Sequence, residues 1–528
     1  MFCKQCGKNI PDGVNFCPFC GGRQIDLPPA DKKPQAAAVN EPSTQKEVEP
    51  QPVVKKKKRL WPRFVIAGVA VAGIVTFAVI KGGQISKERK EEKFRTEMRH
   101  AKRYLNDLDY EQAIVAYEAA IKIDPKNPKP YIGIADTYIA MGDYDSAEEY
   151  LDDGYDRTKD RQIRDYLKEV EAALKSRTDI SGMVMTEGVD LDMYDTPVAG
   201  ASVHLDKIAG SRYKTDTKTD SDGMYKFEDL RPGKYKLTIT ADNYIDVEQV
   251  IDIYPGQEES YSPVIMMISK DMYGEGTASG RIIDAVTGDG VGELTLSIRE
   301  GYNSTQGQII SETETDYSGY YTTSPLKAGY YTIEITDQRK DVEEPFIRSY
   351  ITVRILGNRS IAEQNGAVST KLVEGQVRIV LSWGATPLDL DSHLFCFYES
   401  GESHMNYYGN SRYYDGATGE RIVDLDLDDT DSYGPETTTI YEKRDGDYTF
   451  GIYDYSHSSE ADLKNSHAIV QVYLGNSVTP TYVFYVPQLD GYYWEVFKYD
   501  GKRDRITPVN QMFRSYMERE YYSSEMGY

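Results

Sequence analysis

The stretch KKKKRLWPRFVIAGVAVAGIVTFAVIK, residues 55–81, divides the chain into two parts of different chemistry. It joins a run of basic residues, 55–59, to the uncharged run 64–80. A helix over 64–80 is about 25 Å long, and one that begins at Leu60 is about 31 Å long, enough for a hydrocarbon core of roughly 30 Å. A buried soluble helix is the alternative, but this run has no polar face. We therefore predict a single transmembrane helix over residues 60–81.

The basic residues around this helix predict its orientation. Residues 51–63 and 81–95 each carry six Lys or Arg, but those on the N-terminal side lie closer to the apolar run. This places the N-terminus in the cytoplasm and most of the chain outside the cell membrane. The first 83 residues have a net charge of +7, so the total of −24 leaves −31 for the rest. Such an acidic exterior makes nucleic acid an unexpected partner.

Four cysteines near the N-terminus have the spacing of a zinc site. Cys3, Cys6, Cys17 and Cys20 form a C-x2-C-x10-C-x2-C array, and two such pairs supply four thiolates for tetrahedral zinc. The runs MFCKQCGK (1–8) and FCPFCGG (16–22) resemble the zinc ribbon that opens many bacterial membrane proteins. The resemblance implies a closed structural zinc site in residues 1–24. A redox role is disfavoured because the strand and helix context of redox motifs is absent.

The segments on either side of the membrane helix differ in composition. Residues 25–59 hold six prolines among polar residues, which predicts a disordered basic linker. Residues 84–176 are helical in pattern, and DYEQA (109–113) returns 34 residues later as DYDSA (143–147). This segment resembles a pair of tetratricopeptide repeats with a cap helix from about Asp160 to Lys175. The resemblance implies either a peptide-binding surface or a rigid spacer.

A second internal repeat follows the helices. TDSDGMYKF (219–227) returns 96 residues later as TDYSGYY (315–321). In each copy we expect Asp to cap a hairpin turn and Gly to supply a positive φ before a half-buried strand. The pattern resembles the carboxypeptidase regulatory-like domain, which implies non-catalytic transthyretin-like β-sandwiches over 179–269 and 276–371. Their opening strands contain no Lys, so we expect no pilin-type isopeptide bond.

Apolar and polar residues again alternate over 374–500, as is typical of β-strands. Trp383, DLDSHL (389–394) and DDTDSYGPE (428–436) resemble the YfaP-like bacterial family. The resemblance implies a third β-sandwich with no settled activity. Residues 501–528 are predicted to be a tail that either packs back as a short helix or frays.

The C-terminal domain also carries a candidate calcium site. Asp424, Asp426 and Asp428 alternate, so on a strand they would share one face. They are predicted to bind Ca²⁺ with Asp431, or with Asp389 and Asp391 from a neighbouring strand. The alternative is a solvated acidic edge strand. The site is not an EF-hand, since the loop lacks the required Gly and Glu positions.

These features favour a protein that is not an enzyme. Asp389 and Asp426 could in principle act as acid and base on a glycan, but no serine-hydrolase, metalloprotease or phosphate-loop motif is present. Cys396 lies in an alternating run and is expected to be a core thiol. We predict an envelope scaffold whose tyrosine-rich sandwiches bind a protein or glycan ligand. The alternative is a transmembrane sensor or assembly factor whose ribbon contacts a cytosolic protein.

Overall fold

The computed structural model describes residues 87–186, 195–340, 342–475, 477 and 480–514. These described residues belong to one compact unit. The predicted zinc ribbon, linker and transmembrane helix (1–24, 25–59 and 60–81) lie outside the described residues. Among the helices from residue 87 onward, none is long and apolar enough to span a membrane.

The first described segment is helical, as predicted. Its helices are α1 (Lys87–Asn106), α2 (Tyr110–Ile123), α3 (Lys129–Ala140), α4 (Tyr144–Thr158) and α5 (Arg161–Lys175). Asp109 and Asp143, 34 residues apart, cap α2 and α4 by accepting hydrogen bonds from Gln112 N (3.2 Å) and Ser146 N (3.0 Å). Equivalent caps at this spacing confirm the two-repeat prediction.

The flanking helices complete the core of this helical segment. Ala113 and Ala147, the small residues of the two repeats, are fully buried. Ala101 of α1 packs on Tyr117, and Ile163 of α5 joins the cluster that contains Ala147. Two repeats alone would leave these faces open, and the added helices cover them.

The first β-sandwich follows directly. Its strands are β1 (Thr178–Thr186), β2 (Thr196–Pro197), β3 (Ser202–Lys207), β4 (Lys214–Lys218), β5 (Met224–Leu230), β6 (Gly233–Thr240), β7 (Val247–Ile253), β8 (Glu259–Tyr261) and β9 (Ile265–Met267). One sheet has the order β4-β3-β6-β7, and the other is built around β1, which pairs with β2, β5, β8 and β9. Alternate apolar residues of both sheets form its core.

The second β-sandwich repeats this topology after a single 3₁₀ turn at Lys270–Met272. Its strands are β10 (Glu275–Asp284), β11 (Thr295–Glu300), β12 (Ile309–Glu314), β13 (Tyr320–Thr322), β14 (Leu326–Lys327), β15 (Gly329–Thr336), β16 (Ser349–Ile355), β17 (Ser360–Ile361) and β18 (Gly366–Val368). The order β12-β11-β15-β16 matches β4-β3-β6-β7, and β10 takes the place of β1.

The repeated sequence forms the same turn in both sandwiches. Oδ1 of Asp220 accepts hydrogen bonds from two backbone N–H groups, each at 2.9 Å, and Oδ1 of Asp316 does the same at the same distances. Gly223 and Gly319 have φ of 73° and 85°. The predicted roles of Asp and Gly in this turn are confirmed.

The C-terminal domain is a larger sandwich. Its strands are β19 (Val377–Ser382), β20 (Leu390–Tyr398), β21 (Ser403–Asn406), β22 (Arg412–Tyr414), β23 (Arg421–Leu427), β24 (Glu436–Ile440), β25 (Gly446–Asp454), β26 (Ile469–Leu474), β27 (Tyr482–Tyr485), β28 (Tyr493–Asp500) and β29 (Arg505–Phe513), with a short helix α6 (Asp462–Asn465). A six-stranded sheet, β22-β23-β24-β19-β26-β27, packs on a five-stranded sheet, β21-β20-β25-β28-β29.

The predicted tail is partly wrong. Residues 505–513 form β29, which pairs along β28 and closes one edge of the five-stranded sheet. Its burial alternates, with Ile506 and Phe513 in contact with apolar clusters. The domain therefore extends to residue 513, because the alternation continues past the turn at residues 501–504.

Tyrosines join the first sandwich to both later ones. Tyr254, directly after β7, packs against the core of the C-terminal sandwich. Its hydroxyl accepts a 3.1 Å hydrogen bond from Val483 N. From the second sandwich, Tyr302 and Tyr330 pack against the core of the first, and the Tyr330 hydroxyl donates to Met266 O at 2.7 Å. The first sandwich therefore inserts an aromatic side chain into the C-terminal one, and the second inserts two into the first.

Two further joints bind the remaining modules. An apolar cluster that includes Leu372 and Tyr473 lies between the second and C-terminal sandwiches. The helical segment meets the first sandwich where Ser211 N donates to Asp145 Oδ2 at 3.1 Å. Nearby, the turn at Gly142 approaches β6 so closely that an added Cβ would lie 2.9 Å from Cβ of Lys234. The three sandwiches thus contact one another, and the helical segment contacts the first of them.

Candidate functional site

Acidic residues of the C-terminal sandwich meet at one corner of its two sheets. Asp391 lies on β20 in the five-stranded sheet, whereas Glu436 opens β24 in the six-stranded sheet. Ser392 N donates a 2.5 Å hydrogen bond to Oε1 of Glu436, which links the sheets directly. The prediction that Asp389 and Asp391 come from a strand next to the one with Asp424 and Asp426 is wrong, because β20 and β23 belong to different sheets.

The loop that contains Trp383 holds this corner together. The Trp383 indole N–H donates to Pro387 O at 3.0 Å, inside the loop that precedes β20. Ser432, in the loop that precedes β24, donates from its backbone N–H to Leu388 O and from its hydroxyl to Ala385 O, both at 2.9 Å. These bonds tie the two loops to each other. Trp383 and the segments 389–394 and 428–436 therefore meet in one place.

Three carboxylates converge there: Asp391, Asp428 and Glu436. One oxygen from each lies within 4.8 Å of the other two. Asp391 and Glu436 are 3% and 0% exposed, whereas Asp428 faces solvent. Oδ2 of Asp391 and Oε2 of Glu436 are buried and have no hydrogen-bond partner among the described residues. The corner combines two buried, uncompensated oxygens with one accessible carboxylate.

Burial shifts the protonation of this cluster. It raises the pKa of Asp391 to about 7, and the charges of Asp389 and Asp428 add to the shift. Burial is also the main cause that raises the pKa of Glu436 well above its usual range. The pKa of Asp389 is raised by burial and by Asp428. Ionising these groups together is costly, because burial removes solvation and the charges repel each other.

Two of the predicted calcium ligands have other partners. Asp424 lies 3.3 Å from Nη1 of Arg421 as an ion pair. Oδ1 of Asp426 accepts a 2.6 Å hydrogen bond from the Tyr441 hydroxyl. Arg421 also lies 3.9 Å from Asp426. These two aspartates belong to a separate cluster with a cation and a phenol of its own.

The expected alternation of Asp424, Asp426 and Asp428 on one strand face is wrong. β23 has a register shift between Leu425 and Leu427 and ends at Leu427. A shift of this kind places two residues opposite one and changes which way the following side chains face. Asp428 therefore joins the corner, while the exposed Asp431 is not among the three carboxylates that converge there.

Sequence reasoning missed two buried acids. Glu436 lies 45 positions from Asp391 in the chain, and only the packing of the two sheets brings them together. The one feature of the sequence that could have drawn attention to Glu436 is its position directly after Gly434-Pro435. Asp454 ends β25 and is fully buried, with both carboxylate oxygens unpartnered among the described residues. Burial raises its pKa to about 7.

Aromatic side chains surround the acidic corner. Tyr453 stacks on His393 with ring centroids 6.0 Å apart. Tyr408 and Tyr455 contact each other at 5.6 Å and are 49% and 54% exposed. Exposed tyrosines offer a partner both an apolar ring and a hydroxyl, which is the kind of surface that the tyrosine-rich composition predicts.

Of the five cysteines, Cys396 is the one that lies in the described part of the chain. Cys396 is fully buried on β20, and burial raises the pKa of its thiol to about 12. The prediction of a buried core thiol is confirmed. Cys3, Cys6, Cys17 and Cys20 lie outside the described residues.

Comparison with solved structures finds similar chains, but the TM-scores and sequence identities are low. The Bacillus anthracis TIE protein is 14% identical with a TM-score of 0.16, over 52% of this chain and 45% of its own. The minor pilin GBS52 of Streptococcus agalactiae is 13% identical with a TM-score of 0.15, over 37% of this chain and 96% of its own. The shaft pilin SpaA of Lactobacillus rhamnosus GG is 11% identical with a TM-score of 0.15, over 37% and 97%.

Family models match three separate segments. No curated protein matches the chain. A zinc-ribbon model matches residues 2–23, a tetratricopeptide-repeat model residues 107–167, and a carboxypeptidase regulatory-like model residues 187–265. The chain therefore combines segments similar to a zinc ribbon, a tetratricopeptide repeat and a carboxypeptidase regulatory-like domain with further β-sandwiches.

Proposed function

We propose that this chain is a non-catalytic, membrane-anchored scaffold of the bacterial cell envelope. In this proposal the zinc ribbon lies in the cytoplasm, residues 60–81 cross the membrane, and the helical segment and sandwiches stand outside. The outer part holds the C-terminal sandwich in a fixed position, from which its surface binds a protein or glycan ligand. The observation that carries the proposal is the set of joints between modules.

The joints resist bending because they are made of core contacts. Tyr254 contributes to the core of one sandwich while its backbone continues a strand of another. Its ring centroid lies 4.8 Å from that of Tyr482 and 6.0 Å from that of Phe484. Burial raises the pKa of Tyr254 well above its usual range, as expected for a hydroxyl removed from water. Flexible linkers between modules would not require such contacts.

Polar contacts join the helical segment to the first sandwich. Ser211 N donates to Oδ2 of Asp145 in α4 at 3.1 Å. Within the sandwich, Lys234 and Asp252 form a 2.6 Å ion pair and are about two-thirds buried. Tyr110 of α2 lies close enough for both charges to affect its pKa, which burial raises. At the connection between the two modules, Arg177 lies 3.5 Å from Asp229. These contacts support the spacer interpretation of the helices over a peptide-binding one.

The ligand-binding role rests on the aromatic surface beside the acidic corner. Tyr408 and Tyr455 are large, exposed and adjacent. Protein and glycan ligands both use such rings, and the acidic exterior disfavours nucleic acid. For the favoured function we infer no catalytic residue. Of the two acids in the enzyme hypothesis, Asp426 on β23 is held by Tyr441 and lies near Arg421, in a cluster that does not include Asp389.

The alternative function is a transmembrane sensor or assembly factor. It is favoured by the zinc-ribbon match, since zinc ribbons bind partners as well as stabilise themselves. Deletion of residues 1–54, which keeps the basic flank 55–59, separates the two. A scaffold retains its function in this variant, whereas a sensor that reports to a cytosolic partner loses it.

Protease treatment of intact cells tests the topology. We expect added protease to remove epitopes in residues 84–528 and to spare an epitope at the ribbon. Lysed cells serve as the control in which both epitopes are cut. Protection of the C-terminal epitope in cells whose outer layers are permeabilised would contradict the proposal.

A further inference from the structure

We propose that the corner formed by Asp391, Asp428 and Glu436 binds one Ca²⁺ ion. The proposal concerns the C-terminal sandwich alone and does not depend on the scaffold function. It differs from the site predicted from the sequence, because Glu436 is added as a ligand and the proposed ligands do not include Asp389, Asp424, Asp426 and Asp431.

The spacing of the three carboxylates fits a single calcium ion. Calcium binds oxygen at about 2.3–2.6 Å, so ligands on opposite sides of the ion are roughly 4.6–5.2 Å apart. One oxygen each from Asp391, Asp428 and Glu436 lies within 4.8 Å of the others. A point near the centre of these oxygens is therefore at most about 2.8 Å from each of them, so small side-chain movements bring all three within binding distance.

The buried oxygens of the corner lack any other compensation. Oδ2 of Asp391 and Oε2 of Glu436 are unpartnered in side chains that are at least 97% buried. Oδ1 of the adjacent Asp389 is also buried and unpartnered among the described residues. Buried charges in folded proteins are paired or bind metal ions. By contrast, the neighbouring Asp424 has Arg421 beside it, whereas no Lys or Arg among the described residues forms an ion pair with Asp391, Asp428 or Glu436.

The ligand chemistry selects the class of metal. All three ligands are carboxylates, which are hard oxygen donors that favour Ca²⁺ or Mg²⁺ over zinc. They come from three separate segments in two sheets, and this arrangement suits the irregular coordination of Ca²⁺ better than the strict octahedron of Mg²⁺. The exposed Asp428 gives the ion a path from solvent.

Calcium at this position would join the two sheets of the sandwich. Asp391 belongs to one sheet and Glu436 to the other, and the Ser392 bond to Glu436 already sets their separation. The ion would add a second link at the base of the loops that precede β20 and β24. Its removal is expected to loosen these loops first.

Calorimetric titration of CaCl₂ into the zinc-loaded full chain, in metal-depleted buffer with 0.15 M NaCl, tests the proposal. We expect one ion to bind per chain. Glu436→Gln and Asp428→Asn should each weaken binding at least about tenfold, because each removes a charged ligand. Glu436→Gln keeps an oxygen that accepts the hydrogen bond from Ser392 N. Asp428→Asn changes an exposed residue, so it tests the proposal even if Glu436→Gln does not fold.

Asp431→Asn is the matched control, since it removes one exposed charge three residues from Asp428. Its affinity should stay within about twofold of wild type, as expected for a screened surface charge. Three results would overturn the proposal: no binding at 10 mM CaCl₂, binding that Asp428→Asn leaves unchanged, or binding of MgCl₂ at least as tight as that of CaCl₂.

Discussion

Tyr254→Ala should weaken the joint between the first and the C-terminal sandwich. The change removes ring contacts at 4.8 Å to Tyr482 and 6.0 Å to Phe484, each worth about 0.5–1.5 kcal/mol. It also removes the 3.1 Å acceptor of Val483 N, a hydrogen bond worth about 1 kcal/mol. The expected loss in free energy of unfolding is therefore about 2–4 kcal/mol.

Urea unfolding of the full chain, followed by circular dichroism, measures this loss. Tyr254→Phe keeps the ring and removes only the hydrogen bond, so it should cost about 1 kcal/mol. Tyr317→Ala is the control, because Tyr317 is 89% exposed in a turn of the second sandwich; its unfolding midpoint should match wild type. An unchanged midpoint for Tyr254→Ala would show that the joint does not contribute to stability, and the reasoning would fail.

Three further changes test separate parts of the structure. Burial raises the pKa of Asp454 from 3.8 to about 7, so its protonated form favours folding and its contribution is lost as the pH rises through 7. Without divalent ions, the fall in the free energy of unfolding from pH 5 to pH 8 should therefore be about 2–3 kcal/mol smaller in Asp454→Asn than in wild type. Gly154→Val should destabilise the protein by about 2–3 kcal/mol through overpacking, since a Cβ at Gly154 would lie 2.8 Å from the Tyr131 ring. This loss should appear as a lower melting midpoint. Glu149→Val, on the exposed face of the same helix, should leave the melting midpoint unchanged. Asp316→Ala removes two turn hydrogen bonds of 2.9 Å and should cost about 1–2 kcal/mol in thermal unfolding, with wild-type stability contradicting the role of the turn.

The local elements of the fold were predictable because their signals are short-range. The DYEQA and DYDSA repeats contain their own helix caps, so the 34-residue period is visible in sequence. The turn at Asp220 and Asp316 likewise needs only residues within five positions. The alternation of apolar and polar residues in the strands then indicates β-sandwiches, but it does not show which module packs against which.

The joints and the acidic corner could not be predicted, because they depend on how distant segments pack. Tyr254 and Val483 are 229 residues apart, and no local pattern pairs them. The calcium prediction assumed one regular strand for the aspartates, but the register shift after Leu425 separates Asp426 from Asp428. Glu436 reaches Asp391 only because the two sheets face each other.

Hydrogen exchange at the Val483 amide in the full chain tests the rigid scaffold most directly. Val483 lies on β27, the edge of its sheet, and its N–H bonds across the joint to Tyr254. If the modules form one rigid body, this amide exchanges as slowly as amides of the central strands and becomes fast in Tyr254→Phe. Exchange at the rate of an open edge strand in the wild-type protein would contradict the scaffold, because it would mean that the sandwiches move apart freely.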